Sequence, residues 1–482
     1  MKEKKMTEKR KNISRRDFMG AAAAAAACSI GFPSLIRAQG LNEKLQVGFI
    51  AAGGQAGSHT GQSHGAGLQC IAFAEVDKTR WGGVLEKKGW ENAAGYQDWR
   101  KVFEKHGKDL DVVFVATPDH SHFAPSMTAV SMGIHCYTEK PLTWSVREAQ
   151  LLAAAYARNT KVVTQMGNQG HAGDGWRTAY EYVKAGAIGE IKEFHTWTNR
   201  PVWPQGYKRP TYSDPVPDNL DWDAWIGPAA MRPYIAKYRK GADIEDRHVG
   251  QSIYHSFAWR GIVDFGSGAL GDMACHTTDG IYSIMKPGYA ATAEPIVMNG
   301  EVGDQWPKGM IVKSTYRAKG NRPGFTTYWY EGNKADGTPY MPEAPEELAM
   351  RGRKMKLPRT GNLLYGTKGK MLVEGDYWGR VRLLPLERQK EFGDPPKLLE
   401  RSPGHHKEFF MACRGEKPRE FSQSNFSYSG PMTANIQLGN LCARAGKKLE
   451  LNEAGKIVSD PKINDLAWRE PRNGWGPLEM KV

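Results

Sequence analysis

The sequence predicts an α/β fold whose first half is a doubly wound parallel sheet, and three observations carry that reading. Apolar, β-branched runs alternate with helix-like segments across short connections, the pattern of a parallel sheet covered by helices. The first run opens into a loop of small residues followed by a polar stretch able to start a helix. The second run ends on a carboxylate, Glu75, 22 residues beyond Gly53 of that loop. At 482 residues the chain exceeds what one hydrophobic core organises, so two domains are expected.

In chain order the strand-like runs are LQVGFI, LQCIAFAEVD, LDVVFVATPD, IHCYTEKPLT and KVVTQMGNQG, with FAPSMTAVSMG and SVREAQLLAAAYARN as helices between them. The loop Ala51-Ala52-Gly53-Gly54-Gln55-Ala56 follows the dinucleotide pattern G-x-G-x-x-G/A, except that alanine stands at the first glycine. Gly53 keeps the position where backbone approaches a pyrophosphate, Gly54 follows it, and Ala56 is the small residue at the helix-packing position. Ala51 must then adopt a turn geometry normally left to glycine. Glu75 is placed to accept hydrogen bonds from the ribose hydroxyls of NAD and to repel a 2′-phosphate, while Lys78 and Arg80 nearby leave NADP open. Asn168, Gln169 and His171 follow the fifth run, at the carboxyl end of the sheet where open α/β folds bind ligands. The two amides suit sugar hydroxyls or a cofactor amide, and His171 reads equally as a second proton carrier or as loop packing.

Composition is that of a globular protein, 40% hydrophobic and 24% charged. Of the net charge of +14, the first 38 residues hold nine Lys and Arg against three Asp and Glu. The remaining charge is spread, with no basic run interleaved with aromatics, so nucleic acid is not an expected partner. Six cysteines lack disulfide-like spacing, and Cys70 and Cys136 fall in strand-like runs as buried free thiols. Residues 1–38 read as a signal peptide: a basic stretch ending in Ser14-Arg15-Arg16-Asp17-Phe18-Met19, an alanine-rich apolar run, and IRA before Gln39. This segment resembles a twin-arginine (Tat) signal, which implies the Tat export machinery as a partner and a periplasmic or secreted protein folded around its cofactor before export. Lipid anchoring at Cys28 is the alternative. Past this segment no run of about 18 apolar residues could span a membrane.

VFVATPDHSHFAPSMTAVSMGIHCYTEKPL, residues 113–142, resembles the Gfo/Idh/MocA oxidoreductases (glucose–fructose oxidoreductase, inositol dehydrogenase and relatives) in pairing a TPxxxH strand end, Thr117-Pro118-Asp119-His120-Ser121-His122, with an EKP strand end, Glu139-Lys140-Pro141. The resemblance continues through GEIKEFHTWTN, WDAWIGP, WRGIVDFGSGALGDMACHTTD and LLYGTKGKMLVEGD. It implies a Rossmann domain over residues 39–165 and an α/β domain over 166–482 with an open, mostly antiparallel sheet that often serves as a homo-oligomer interface. MIVKSTYRA, GFTTYWYEG and GKMLVEGDYWGRVRLLPL suit that sheet, and PMTANIQLGNLCARAG reads as an amphipathic helix stopped at Gly446.

Asp272 and His276 are four apart and share one helical face. Alone they read as a surface pair, and no CxxC or HExxH supports a metal site. The resemblance implies instead that Lys140, Asp272 and His276 meet over a nicotinamide to oxidise a secondary alcohol, with His276 as acid/base, Asp272 accepting a substrate hydroxyl and supporting the histidine, and Lys140 on the reacting oxygen. Thr117, Pro118, His120, His122 and Glu139 are then cofactor contacts, with Asn168. Gln169, His171, Trp203, Tyr254, Trp259 and Arg260 form a sugar- or polyol-reading set. Two further functions stay open: a redox-neutral glycoside cleavage by oxidation, elimination and re-reduction, and a non-catalytic sugar-binding protein.

Overall fold

The strands β1 (Gln46–Ile50), β2 (Gln69–Ala74), β3 (Ala94–Tyr96), β4 (Val112–Val115), β5 (His135–Thr138) and β6 (Thr164–Met166) form a parallel sheet in the order β3-β2-β1-β4-β5-β6. The computed structural model describes residues 44–350, 353–472 and 474–482, so the expected signal at 1–38 lies outside the described residues. Five of the six strands are the five apolar runs of the sequence. The sixth, β3, is a three-residue Ala-Gly-Tyr segment paired in register with Ala72–Ala74 and has no apolar run to announce it.

Both faces of this sheet are buried, so its strands read as unbroken apolar runs. Ile50, Val113, Val115 and Cys136 belong to the large core shared with the helices α2 (Phe123–Met132) and α3 (Val146–Arg158). Ser145 starts α3 through a capping box with Glu148. Val47, Phe49, Phe114 and Tyr137, on the opposite face, pack with Phe409 and Phe410 of the helix α5 (His405–Cys413). The chain thus returns from its far end to cover the first sheet. The expected boundary after residue 165 falls inside β6, and the stretch beyond residue 400 serves both halves.

The second sheet contains β7 (Ile191–Trp197), β8 (Thr292–Asn299), β9 (Gly309–Tyr316), β10 (Phe325–Gly332), β11 (Gly361–Gly366), β12 (Lys370–Glu374), β13 (Arg380–Leu384) and β14 (Leu449–Glu450), in the order β13-β12-β11-β7-β10-β9-β8-β14. All its pairings are antiparallel except β7 with β10. The helix α4 (Gly268–Thr277) is buried along its whole length beneath it. The helix α6 (Phe426–Ala445) ends at Gly446 in the left-handed conformation (φ +61°), as the sequence indicates. It is buried nearly all round instead of amphipathic, because it fills the space between α3, α4 and the second sheet. Its amides fix the start of α4: Asn440 donates to the Ser267 carbonyl and Gln437 donates to both Ser267 Oγ and the Thr143 carbonyl. Among the described residues no helix is long and apolar enough to cross a membrane.

Candidate active site

The carboxyl ends of β1, β2, β4 and β5 face α4 across a cavity of about 650 Å³. At one end lies the small-residue loop. Ala51 takes φ +88°, the conformation that the missing glycine would have adopted freely, and Gly54 takes φ +58°. A left-handed alanine costs roughly 1–2 kcal/mol, so Ala51→Gly is expected to stabilise the protein by about 1 kcal/mol, read as a higher thermal midpoint. At Gly53 the Arg80 side chain lies against the backbone, 2.5 Å from where a Cβ would sit. The helix α1 (Ala56–Gly65) starts behind the loop with Ala56 buried in the packing role the sequence assigns it, and its N-terminus suits a pyrophosphate.

Glu75 lines this end of the cavity and also serves the loop itself. Its carboxylate accepts the backbone N–H groups of Ala52, Gly53 and Asp77 at 2.9–3.1 Å, so it braces the loop. Arg80 takes the position facing the cavity beside it. Thr117 and Pro118 line the wall, and Thr117 Oγ1 is buried without a hydrogen-bond partner. A loop of small residues, a helix N-terminus and an orphaned buried hydroxyl on one wall together fit a bound dinucleotide.

At the other end Lys140, Asp272, His276 and Arg260 converge. Lys140 Nζ donates to Asp272 Oδ1 at 2.8 Å and to the Asp272 carbonyl at 3.0 Å, and Arg260 Nε donates to the same Oδ1 at 3.0 Å. Burial opposes both charges, but they outweigh it together: Asp272 is held well below the usual carboxylate range, and Lys140 is raised above the ordinary lysine value. Asp272 makes no hydrogen bond to His276, and its Oδ1 serves the two cations instead. His276 Nδ1 is buried without a partner, and burial followed by the Lys140 charge pushes the imidazole down to about 3. The histidine is therefore neutral at ordinary pH.

Glu139 sits between the two ends. It accepts from the Gln169 amide and from the Lys140 backbone N–H, and lies 2.9 Å from His59 Nε2, while His59 Nδ1 lies 2.9 Å from His406 Nε2. Burial works against its charge, but the His59 contact leads the effects that bring its carboxyl down to about 2, against an ordinary 4.5. A depressed carboxyl stabilises the fold fully above about pH 4.5 and loses that contribution as the pH falls towards 2. The difference in thermal midpoint between wild type and Glu139→Gln is therefore expected to be present at pH 6 and to close as the pH is lowered through that window.

Gln169, Trp203 and Trp259 line the cavity as expected, but five other assigned residues do not. The two ring nitrogens of His120 face the Phe265 and Trp225 carbonyls, pinning the strand end to the second domain. Those of His122 face Pro141 and Thr117 carbonyls. Asn168 is spent on Asp279 and Ser424. His171 sits on the same Asp279, stacks on Trp176 and meets the Tyr428 ring at a tilt, which favours packing over proton carriage. Tyr254 lies within an aromatic cluster with Trp222, Trp225 and Phe265.

The wall also carries residues that were not assigned, among them Asp119, Arg200, Asp376 and Tyr377. Asp119, inside the TPDHSH motif, accepts from the Ser267 N–H, and burial followed by the Asp272 charge pushes its carboxyl up to about 7. The Tyr377 ring meets His276 edge-on at 4.7 Å. Asp119 was legible as the polar residue of a strand-end motif. Asp376 and Tyr377 lie about 100 residues beyond His276 in a turn, with no local signal for the site.

Residues 45–167 match an oxidoreductase family described by its NAD-binding Rossmann fold, and residues 191–308 match the C-terminal alpha/beta domain of the same family. The chain is 28% identical over 167 residues to an inositol 2-dehydrogenase of Rubrobacter xylanophilus, covering 33% of this chain and 45% of that one. It is 28% identical over 122 residues to a levoglucosan dehydrogenase of Pseudarthrobacter phenanthrenivorans, covering 25% and 30%. It therefore spans less than half the length of these relatives. The WlbA dehydrogenase of Bordetella pertussis, solved with NADH and UDP-GlcNAcA, superposes with a TM-score of 0.54 over 85% of this chain and 99% of that one, at 14% identity, a likeness of fold. With both domains matched in order around one cavity, the chain belongs to the Gfo/Idh/MocA family of oxidoreductases, and its first domain is the family's NAD-binding Rossmann domain.

Proposed function

We propose that the protein is an NAD-dependent dehydrogenase of a secondary hydroxyl on a sugar, glycoside or polyol. The observation that carries this is that Lys140, held by Asp272, and His276, whose buried Nδ1 has no partner, line the end of the cavity away from the glycine loop. The loop at 51–56, Arg80, Thr117, Pro118 and Glu139 would hold the dinucleotide, which supplies a hydride acceptor when bound. The inositol and levoglucosan relatives support the substrate class.

The chain's own groups account for the proton. His276 is unprotonated and can take the hydroxyl proton. Lys140 uses two of its three N–H donors on Asp272, leaving one for the reacting oxygen, where its charge stabilises alkoxide character. Asp272 Oδ2 has no partner among the described residues and can accept a neighbouring substrate hydroxyl. The low basicity of His276 is offset by Lys140, which lowers the cost of forming the alkoxide. A redox-neutral glycoside cleavage needs a second base, and the Tyr377 phenol, raised above its ordinary value chiefly by burial, serves that role poorly.

The test is to titrate NAD into the protein expressed from residue 39, then follow absorbance at 340 nm with inositols, aldohexoses, their uronic acids and levoglucosan. Failure to bind NAD, or binding without reduction by any of them, overturns the dehydrogenase reading. Deuterium appearing from solvent D₂O at the carbon beside the oxidised one would instead support elimination. Tat export, with the cofactor bound before transport, and self-association through the second sheet belong to the same proposal. Cell fractionation and sedimentation check these.

A further inference from the structure

The turn Gly375–Gly379 joins β12 to β13, whose last pair across the hairpin is Glu374 with Arg380. Its sequence, GDYWG, places Trp378 in the left-handed region at φ +60° without a glycine. That conformation costs energy, and such strain persists only where the surroundings hold it. Here the surroundings are specific. The Trp378 indole is buried and donates to the Thr277 carbonyl at 2.8 Å, at the end of α4 and one residue past His276. Its seat requires two glycines: a Cβ on Gly280 would lie 2.5 Å from the indole ring, and one on Gly175 would lie 1.4 Å from the Trp378 carbonyl oxygen. Tyr377 rests on a third, Gly170, where a Cβ would lie 2.9 Å from its ring.

This anchoring aims the two residues before Trp378 at the site. Tyr377 covers one side of His276. Asp376 lines the same cavity, and its Oδ1 is buried with no hydrogen-bond partner. A buried carboxylate oxygen without a donor is costly, and the groups that most simply satisfy it are hydroxyls of a ligand. The other two carboxylates at this end each already accept through one oxygen, Asp272 Oδ1 from Lys140 and Arg260 and Asp119 Oδ2 from Ser267, whereas no donor reaches the buried Asp376 Oδ1.

We propose that this turn is the substrate-selecting element of the site, with Asp376 accepting a hydroxyl of the sugar or polyol at a carbon other than the one oxidised, and Tyr377 closing the outer side of His276. The inference rests on the dehydrogenase reading. It makes the hairpin, and not the sequence motifs shared with the family, the part that chooses among stereoisomers: a site built to donate or accept at one hydroxyl discriminates strongly against analogues that lack it.

The experiment uses the NAD-loaded protein from residue 39 and the same panel of inositols, aldohexoses, uronic acids and levoglucosan, followed by the single-deoxy analogues of whichever compound is oxidised. Asp376→Asn and Asp376→Ala are compared with wild type, with thermal midpoints as the check on folding. The expected result is a rise in KM of roughly 10–100-fold with kcat within about threefold. That penalty should disappear on one deoxy analogue, which identifies the hydroxyl. A KM within twofold of wild type, an equal penalty on every deoxy analogue, or a loss confined to kcat overturns the role of Asp376 while leaving the dehydrogenase reading intact. Wild-type protein that binds NAD and oxidises nothing in the panel overturns both.

Discussion

His276→Asn lowers kcat by about 10³-fold, with NAD affinity within a few-fold of wild type, if the imidazole is the proton acceptor. The substitution keeps a polar side chain of similar reach, so the wall beside Tyr377 survives while the base is lost. The pH profile provides a second readout. Because burial and the Lys140 charge push His276 down to about 3, its free-base form is complete above about pH 4. Wild-type kcat/KM is therefore expected to show no acid limb at the ordinary histidine value of about 6.5. A limb centred there that disappears in His276→Asn would show a hydrated, ordinary imidazole, contrary to the buried neutral one described.

Asp272→Asn has the second large effect, on stability as well as rate. The carboxylate stands between two cations, Lys140 at 2.8 Å and Arg260 at 3.0 Å. Removing one partner of a buried pair leaves uncompensated charge and costs about 3–5 kcal/mol. Rate falls with it, by about 10²–10³-fold, since Lys140 loses the group that holds it charged and oriented. The sign with pH is diagnostic. In wild type the Lys140 value is raised, so its contribution is fully present below the ordinary lysine range and is lost only at more alkaline pH. In the variant, burial and Arg260 act on Lys140 with only Glu139 against them and bring its value down. The stability deficit measured at pH 7 should then shrink as the pH is raised and Lys140 sheds its proton. A deficit independent of pH would mean that the loss is one of packing and not of charge.

The parts of the site that were legible in the sequence are those whose chemistry is local. The glycine loop, Glu75 and the TPxxxH and EKP strand ends each announce themselves within a few residues, because a strand ending into a helix presents its last side chains at one edge of the sheet. Even there the roles shifted. Glu75 ends the strand as read, but its oxygens are nearer to the N–H groups of Ala52 and Gly53 than residue spacing reveals. His120 and His122 belong to the motif yet are buried against carbonyls, His120 tying the strand end to the second domain and His122 tying the two strand-end loops of the first to each other. His59 gave no signal because a histidine on a polar helix is unremarkable until Glu139, 80 residues on, is seen at 2.9 Å.

The sequence by itself determined the doubly wound sheet, five of its six strands, the loop with its alanine departure, and the separation of Asp272 and His276 by one helical turn. These follow from periodicity and from the steric needs of glycine, which act over a few neighbouring residues. Only the tertiary structure decided that Asp272 is committed to Lys140 and Arg260 and not to His276, that α5 returns to cover the first sheet, and that a strained hairpin delivers Asp376 and Tyr377 to the cavity. Those outcomes depend on which buried charge or aromatic ring finds a partner in a water-poor interior, a competition among groups from 12 to more than 300 residues apart that no local pattern encodes.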